Sequence, residues 1–375
     1  MRSAALTTAA ARADGLGDQL ATDARRLATA LARCRPPVPG GAAWAGVLEL
    51  WVRAQGESVR AVGPAGLWGE ALALEVLARH LRAAARVYAG VEASVGAVMA
   101  GVGAGADLAA RGGWLTDGPA MPTVTAREPT LVLDREHGFA QAADLLAAAE
   151  GLDDGVVRVV EVRRGDGGSA WVVVVPGTQE WSPGPGSNPF DLTTDVRALT
   201  GGTTVAAAGV GVALEVARSR AGNRSTPADP VVLVGHSQGG MLAAALASED
   251  SFTTRHRVTH VVTGGSPVAL FPVPPSTRVL SVEHDDDPVP RLDLTPNPAR
   301  SSWVTVRTPE QGLPLDPARH RLEGYVATLR VLEDAPRGTV AGLDAWQASA
   351  GDVLGRPVRS VSELRVERGW QNPRS

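Results

Sequence analysis

The sequence predicts an α/β domain on a mostly parallel sheet with helices on both faces, preceded by an all-α helical hairpin or bundle. Three observations carry this. The first hundred or so residues are helical in texture. From about residue 125 onward, Val-rich runs alternate with helical ones, which argues for a parallel sheet covered on both faces. Finally, "VVLVGHSQGGMLAAALASE" (231–249) passes from an apolar run, through Gly-x-Ser-x-Gly, into an alanine-rich run.

The elements follow in order. "RPPVPGG" (35–41) and "GPAG" (63–66) break the N-terminal region into three helical segments. In the third, Leu74, Leu77, Leu81, Ala84, Tyr88, Val91, Val95 and Val98 step by three and four, the spacing of a seam that faces a partner helix. Leu16, Leu20, Leu27 and Leu31 could supply the opposing face, giving an antiparallel hairpin or small bundle over roughly 5–100. The Gly- and Pro-rich stretch 101–123 has no sustained period and reads as a linker. The expected division is a helical domain at 1–112, a linker at 113–130, the α/β domain at 131–335, and a C-terminal helix with a loose tail at 336–375.

Within the α/β domain the expected strands are "VVRVVEVRR", "SAWVVVVPG", "PVVLVG", "RVTHVVTGG", "TRVLSVEHDDD" and "SSWVTVR". Helices are expected at about 203–218, from about 238, and after Pro317. The "RRGDGGS" turn between the first two runs predicts an antiparallel hairpin at that edge.

Composition excludes some classes of function. With 36 basic against 40 acidic residues and a net charge of −4, there is no electrostatic footprint for nucleic acid. Every basic residue is Arg, a usage that reflects a GC-rich genome more than a mechanism. Cys34 is the only cysteine, so no intramolecular disulfide and no Cys/His metal cluster can be assembled. The apolar run at the N-terminus is interrupted early by Arg12 and Asp14, unlike a secretory signal. The uncharged stretch Ala93–Ala106 is well short of the ~20 residues that span a bilayer, so no integral membrane segment is expected.

The chemistry centres on Ser237. It sits between a buried strand and a helix, and Gly235 and Gly239 leave room for a turn too tight for side chains, the form of a nucleophile elbow. The following helix aims its N-terminus at the reacting centre, where the backbone N–H of Gln238 is placed to bind an oxyanion. His236 is expected to pack under the turn with its side chain directed away from that of Ser237.

A serine hydroxyl needs an imidazole to take its proton and a carboxylate to orient that imidazole. In this topology the acid and then the histidine follow the serine, each on a loop after a later strand. The strand "RVLSVE" runs into Asp285, Asp286 and Asp287, any of which could serve. Of the seven histidines only His320 follows that acidic run. The second oxyanion donor is expected after "WVVVV", where Gly177 allows a tight turn and Thr178 offers its N–H and its hydroxyl, with Gln179 as the fallback.

With these elements in order the chain resembles the α/β-hydrolase superfamily, and within it the class 3 lipase group, over about 130–335. "GHSQGG" corresponds to the group's elbow, "PGT" (176–178) to its Arg-Gly-Thr strand end, and Asp195 in "FDLTTDVRAL" to its later aspartate. The group's Asp-x-Val-Pro acid loop corresponds to "DPVP", which selects Asp287. The sequence departs from the group at Pro176, where arginine is usual, and in the Pro/Gly-rich loop "EWSPGPGSNPF" (180–190).

The N-terminal region is similar to the WxG-type helical hairpins exported by actinobacterial type VII secretion systems. Trp44-Ala45-Gly46 and Tyr88-x-x-x-Glu92 carry that likeness, which implies a secretion-system or helical partner and export by a signal-peptide-independent route, the alternative being a purely structural bundle and a cytoplasmic location. Together the resemblances imply a serine esterase or lipase acting on a small-molecule or lipid ester without metal or organic cofactor. The same frame also supports thioesterases and acyltransferases, and the rival reading is a partner-binding helical module with an inactive hydrolase domain.

Overall fold

The computed structural model describes residues 2–33, 115–117, 120–131, 133–181, 186–308 and 317–369, together with scattered positions between 49 and 78. Packing divides the chain into two units, Met1–Gly96 and Ala97–Ser375.

In the first unit α1 runs from Arg2 to Arg33. Its buried positions are Ala10, Ala13, Gly17 and Ala24, the three- and four-residue spacing of a helical stripe. This corrects the expected leucine face, since Leu16 is 55% and Leu27 44% exposed. The stripe that turns inward carries small residues, which permit close backbone approach, and Leu16 and Leu27 fall beside it. Of the third segment's seam only Leu74 is among the described residues; Trp44, Tyr88 and Glu92 lie outside them.

The second unit is built on one eight-stranded sheet: β1 (Met121–Arg127), β2 (Val156–Arg163), β3 (Ser169–Val175), β4 (Pro230–His236), β5 (Arg257–Gly264), β6 (Arg278–His284), β7 (Trp303–Thr308) and β8 (Val358–Gly369). Their spatial order is β1-β8-β2-β3-β4-β5-β6-β7. From β3 to β7 every pairing is parallel. The β2–β3 pair is the antiparallel hairpin expected from its turn.

The parallel strands are Val-rich because both of their faces are covered. Trp171, Val173, Val231 and Leu233 point to one face, where they pack with Val210 and Leu214 of α4 (Val205–Ala221) and with Met241 and Leu242 of α5 (Gln238–Ser248). Val172, Val174, Val232 and Val234 point to the other, against Leu145 of α2 (Ala142–Ala147), Leu329 of α7 (Leu322–Glu333) and Trp346 of α8 (Leu343–Ser349). Two short helices complete the set: α3 (Leu192–Leu199), capped by Asp191 accepting from the Thr194 N–H, and α6 (Asp250–Arg255). No helix among the described residues is long and apolar enough to cross a membrane.

Two strands stand where the sequence reading placed a linker and a tail. β1 is an exposed edge strand whose Pro122 is tolerated there because an edge needs fewer ladder donors. The tail is corrected more deeply: α8 is the expected short helix, but residues 358–369 form β8, inserted between β1 and β2 and antiparallel to both. Its charges hid it. Glu363 is buried against Arg158 at 2.6 Å, and buried Arg368 meets Asp117 at 2.8 Å, so residues that read as solvated are internal ion pairs.

Candidate active site

β4 delivers the chain to Ser237, whose φ of 56° lies in the left-handed region, a costly conformation for a residue with a side chain. Surrounding contacts enforce it. The Ser237 N–H donates to the Gly264 carbonyl at 2.9 Å, and the Ser237 carbonyl accepts from Gly240 and Met241 in the first turn of α5. A Cβ on Gly235 would collide with the Gly239 backbone, and one on Gly239 with the carbonyls of Val175 and Pro176. The elbow therefore abuts the end of β3, and glycine is required at both positions.

The structure brings Ser237, Asp287 and His320 together. His320 Nε2 lies 2.8 Å from Ser237 Oγ, and its Nδ1 lies 2.6 Å from Asp287 Oδ2. Asp287 follows β6, and His320 ends the short helical turn Pro317–His320 ahead of α7. The His320 side chain remains 26% exposed, so a ligand can reach it, whereas Asp287 is buried.

Geometry also separates the three adjacent acids. Asp285 pairs with Arg291 at 2.9 Å and Asp286 with Arg319 at 3.1 Å, leaving Asp287 to face the imidazole. Burial pushes the Asp287 carboxyl up, but bonds from His320, Tyr325 and the Val289 N–H outweigh it, and the group is held below the usual carboxylate range. It stays ionised beside the His320 ring.

The turn after β3 lies against the elbow: a Cβ on Gly177 would stand 3.3 Å from the His236 carbonyl and 3.5 Å from Ser237 Cβ. Thr178 is the next residue along that turn. Its hydroxyl donates to Asp195 Oδ2 at 3.0 Å, so the hydroxyl is committed and the backbone N–H is what Thr178 can offer. The fallback, Gln179, spends its own N–H on the Phe190 carbonyl at 2.8 Å. Gln238 opens α5, where first-turn N–H groups have no acceptor within the helix, and its side chain donates to the Asp191 carbonyl at 2.8 Å. Burial raises Asp195 to about 6 despite bonds from Gln238 and Thr178.

The His236 ring lies against that of His320, with centroids 4.7 Å apart and planes 36° from parallel. Burial, reinforced by the like charge of His320, lowers it to about 4, which keeps it neutral and unsuited to serve as the base. Tyr325, on α7, is the site residue that the sequence did not disclose. Its hydroxyl donates to Asp287 Oδ2, and nothing in "HRLEGYVATL" separates it from an ordinary core tyrosine.

Sheet, elbow and helices define an α/β-hydrolase fold. Residues 194–308 are similar to the family described as PGAP1-like alpha/beta domain, a lipase-like member of that fold class. The matched segment holds Ser237 and Asp287 but stops short of His320 and begins after Thr178. No curated protein and no solved structure matches the chain.

Proposed function

We propose that the protein is a serine hydrolase of the esterase or lipase type, cleaving carboxylic esters, acyl lipids among them, through an acyl-enzyme at Ser237. His320 takes the Ser237 proton on Nε2 as Oγ forms a bond to the acyl carbon. Asp287 holds the Nδ1–H tautomer and faces the imidazolium that results. The oxyanion is met by the N–H groups of Gln238 and Thr178, each such donor being typically worth about 3 to 4 kcal/mol in the transition state. Collapse breaks the bond to the alcohol oxygen, which leaves with the proton from Nε2. Water then attacks the acyl carbon, giving up a proton to the same nitrogen, and the acid is released as Ser237 recovers its hydrogen.

The observation that carries this reading is the pair of contacts at 2.8 and 2.6 Å linking serine, imidazole and buried carboxylate. Labelling with a fluorophosphonate probe tests the nucleophile: capture in the native protein that is lost in Ser237→Ala supports the reading, and no capture by folded protein overturns it. A panel of chromogenic esters of graded chain length then defines the acyl preference.

A further inference from the structure

We infer that Tyr325 is a positioning residue for the Asp287–His320 pair, setting through its hydroxyl both the orientation of the carboxylate and its hold on the imidazolium. The inference deepens the proposed serine-hydrolase reading and rests on it.

Asp287 Oδ2 accepts from two donors, the Tyr325 hydroxyl and His320 Nδ1, while Oδ1 accepts from the Val289 N–H at 2.9 Å. Three donors on one carboxylate fix its plane, and only one of them comes from the imidazole it must orient. Sharing Oδ2 also divides that oxygen's negative charge between the phenol and the imidazole.

The phenol is itself held on every side. Its ring stacks on His284 with centroids 4.0 Å apart and planes 6° from parallel, and His284 is anchored by Thr328 Oγ1 at 2.9 Å from its Nε2. His236 lies against another edge at 5.6 Å. Gly265, at φ +60°, gives the ring its room, since a Cβ there would stand 2.9 Å from it. Tyr325 is fully buried, and burial together with the adjacent carboxylate drives its ionisation well above the usual tyrosine range. It is therefore a permanent donor. Hydrogen bonds of this charge-assisted kind are about twice as strong as neutral ones.

Other titratable or charged groups around the pair are His236 on β4, Asp195 on α3, Glu283 and His284 on β6, Asp286 beside Asp287, and Arg319 beside His320. Tyr325→Phe leaves all of them in place and keeps the stacked ring. A carboxylate relieved of one donor holds an imidazolium more strongly, so the acid limb of kcat/KM should move to higher pH.

The experiment compares the full-length native protein with Tyr325→Phe on a short chromogenic ester across pH, and records the low-field proton spectrum of each, Asp287→Asn serving to assign the His320 Nδ1 proton. The expected result is a roughly tenfold fall in kcat with KM nearly unchanged, an acid limb at higher pH, and a displaced low-field resonance. Unchanged kcat, limb and resonance would reduce Tyr325 to packing and overturn the inference. If Tyr325→Phe does not fold, the two tyrosines of the chain permit a second route. Replacing tyrosine by its monofluorinated analogue in a Tyr88→Phe background strengthens the donor and should move limb and resonance the opposite way, and no movement overturns the inference. A native protein without esterase turnover whose low-field resonance still responds to Tyr325→Phe supports the positioning role while removing the ester-hydrolase reading.

Discussion

His320 Nε2 stands 2.8 Å from Ser237 Oγ, although 83 residues separate the two in the chain. Either partner alone should be nearly inert: Ser237→Ala or His320→Ala is expected to lower kcat on the order of 10⁵- to 10⁶-fold. Chromogenic ester hydrolysis, with fluorophosphonate capture as a second readout, measures this. A loss of only tenfold at either position would remove it from the proposed mechanism.

The neighbouring acids should respond very differently. Asp287→Asn is expected to cost on the order of 10⁴ in kcat, because the amide cannot hold the required tautomer. Asp285→Asn breaks a surface pair with Arg291 and should leave kcat within a few fold. Asp286→Asn serves as the second control, and a loss there as large as that for Asp287→Asn would contradict the assignment.

At the elbow, Gly239→Ala would drive a methyl group into the carbonyls of Val175 and Pro176. Overpacking of a backbone-to-backbone contact should cost at least about 3 kcal/mol, toward the upper end for such substitutions, and abolish labelling of Ser237. Denaturant titration reads the first effect. Native stability with native labelling would mean the turn is looser than these contacts imply.

His260, which makes none of the contacts of the Ser237–His320–Asp287 cluster, offers a test of stability against pH. Burial lowers it to about 4, and its ring is held by Ser349 Oγ at 2.9 Å. A folded value below the unfolded 6.5 means its stabilising contribution is complete above pH 6.5 and lost as pH falls toward 4, by as much as about 3 kcal/mol. His260→Asn should therefore flatten the fall in melting temperature between those pH values. An unchanged slope would show that the histidine is already free to protonate.

These tests fall on residues that were unequally visible in the sequence. The parallel strands were legible because burial on both faces makes them continuous apolar runs, and the elbow because its glycines follow such a run and precede a helix. His320 emerged from its place in the chain, after the acidic run. Asp287 needed a family pattern, since three adjacent aspartates differ only in which one the fold turns inward. Tyr325 left no mark, because a hydroxyl aimed at a carboxylate has the same sequence signature as a tyrosine in a core. β8 was missed for a related reason: Glu363 and Arg368 find partners far away in the chain, and alternation that depends on buried ion pairs does not look amphipathic.

Deleting residues 358–369 should thus be far more damaging than removal of a tail. The strand's register joins Val366 to Val124 and Val361 to Val160, so its loss would leave β1 without a partner and β2 with an open edge. Soluble expression and ester turnover of the deletion read the outcome, and retention of both would show that β8 is dispensable.

The internal position of β8, one strand in from the β1 edge, also governs when the fold can be completed during synthesis. As the polypeptide leaves the ribosome, the strands that lead into Ser237 and Asp287 emerge well before residues 358–369 are translated. Until then the nascent sheet lacks the piece that fills the gap between β1 and β2, and unpaired backbone there is open to contact with other chains. Only when that strand slides in is the seam sealed, so Ser237, Asp287 and His320 exist as sequence before the protein has a finished scaffold to hold them.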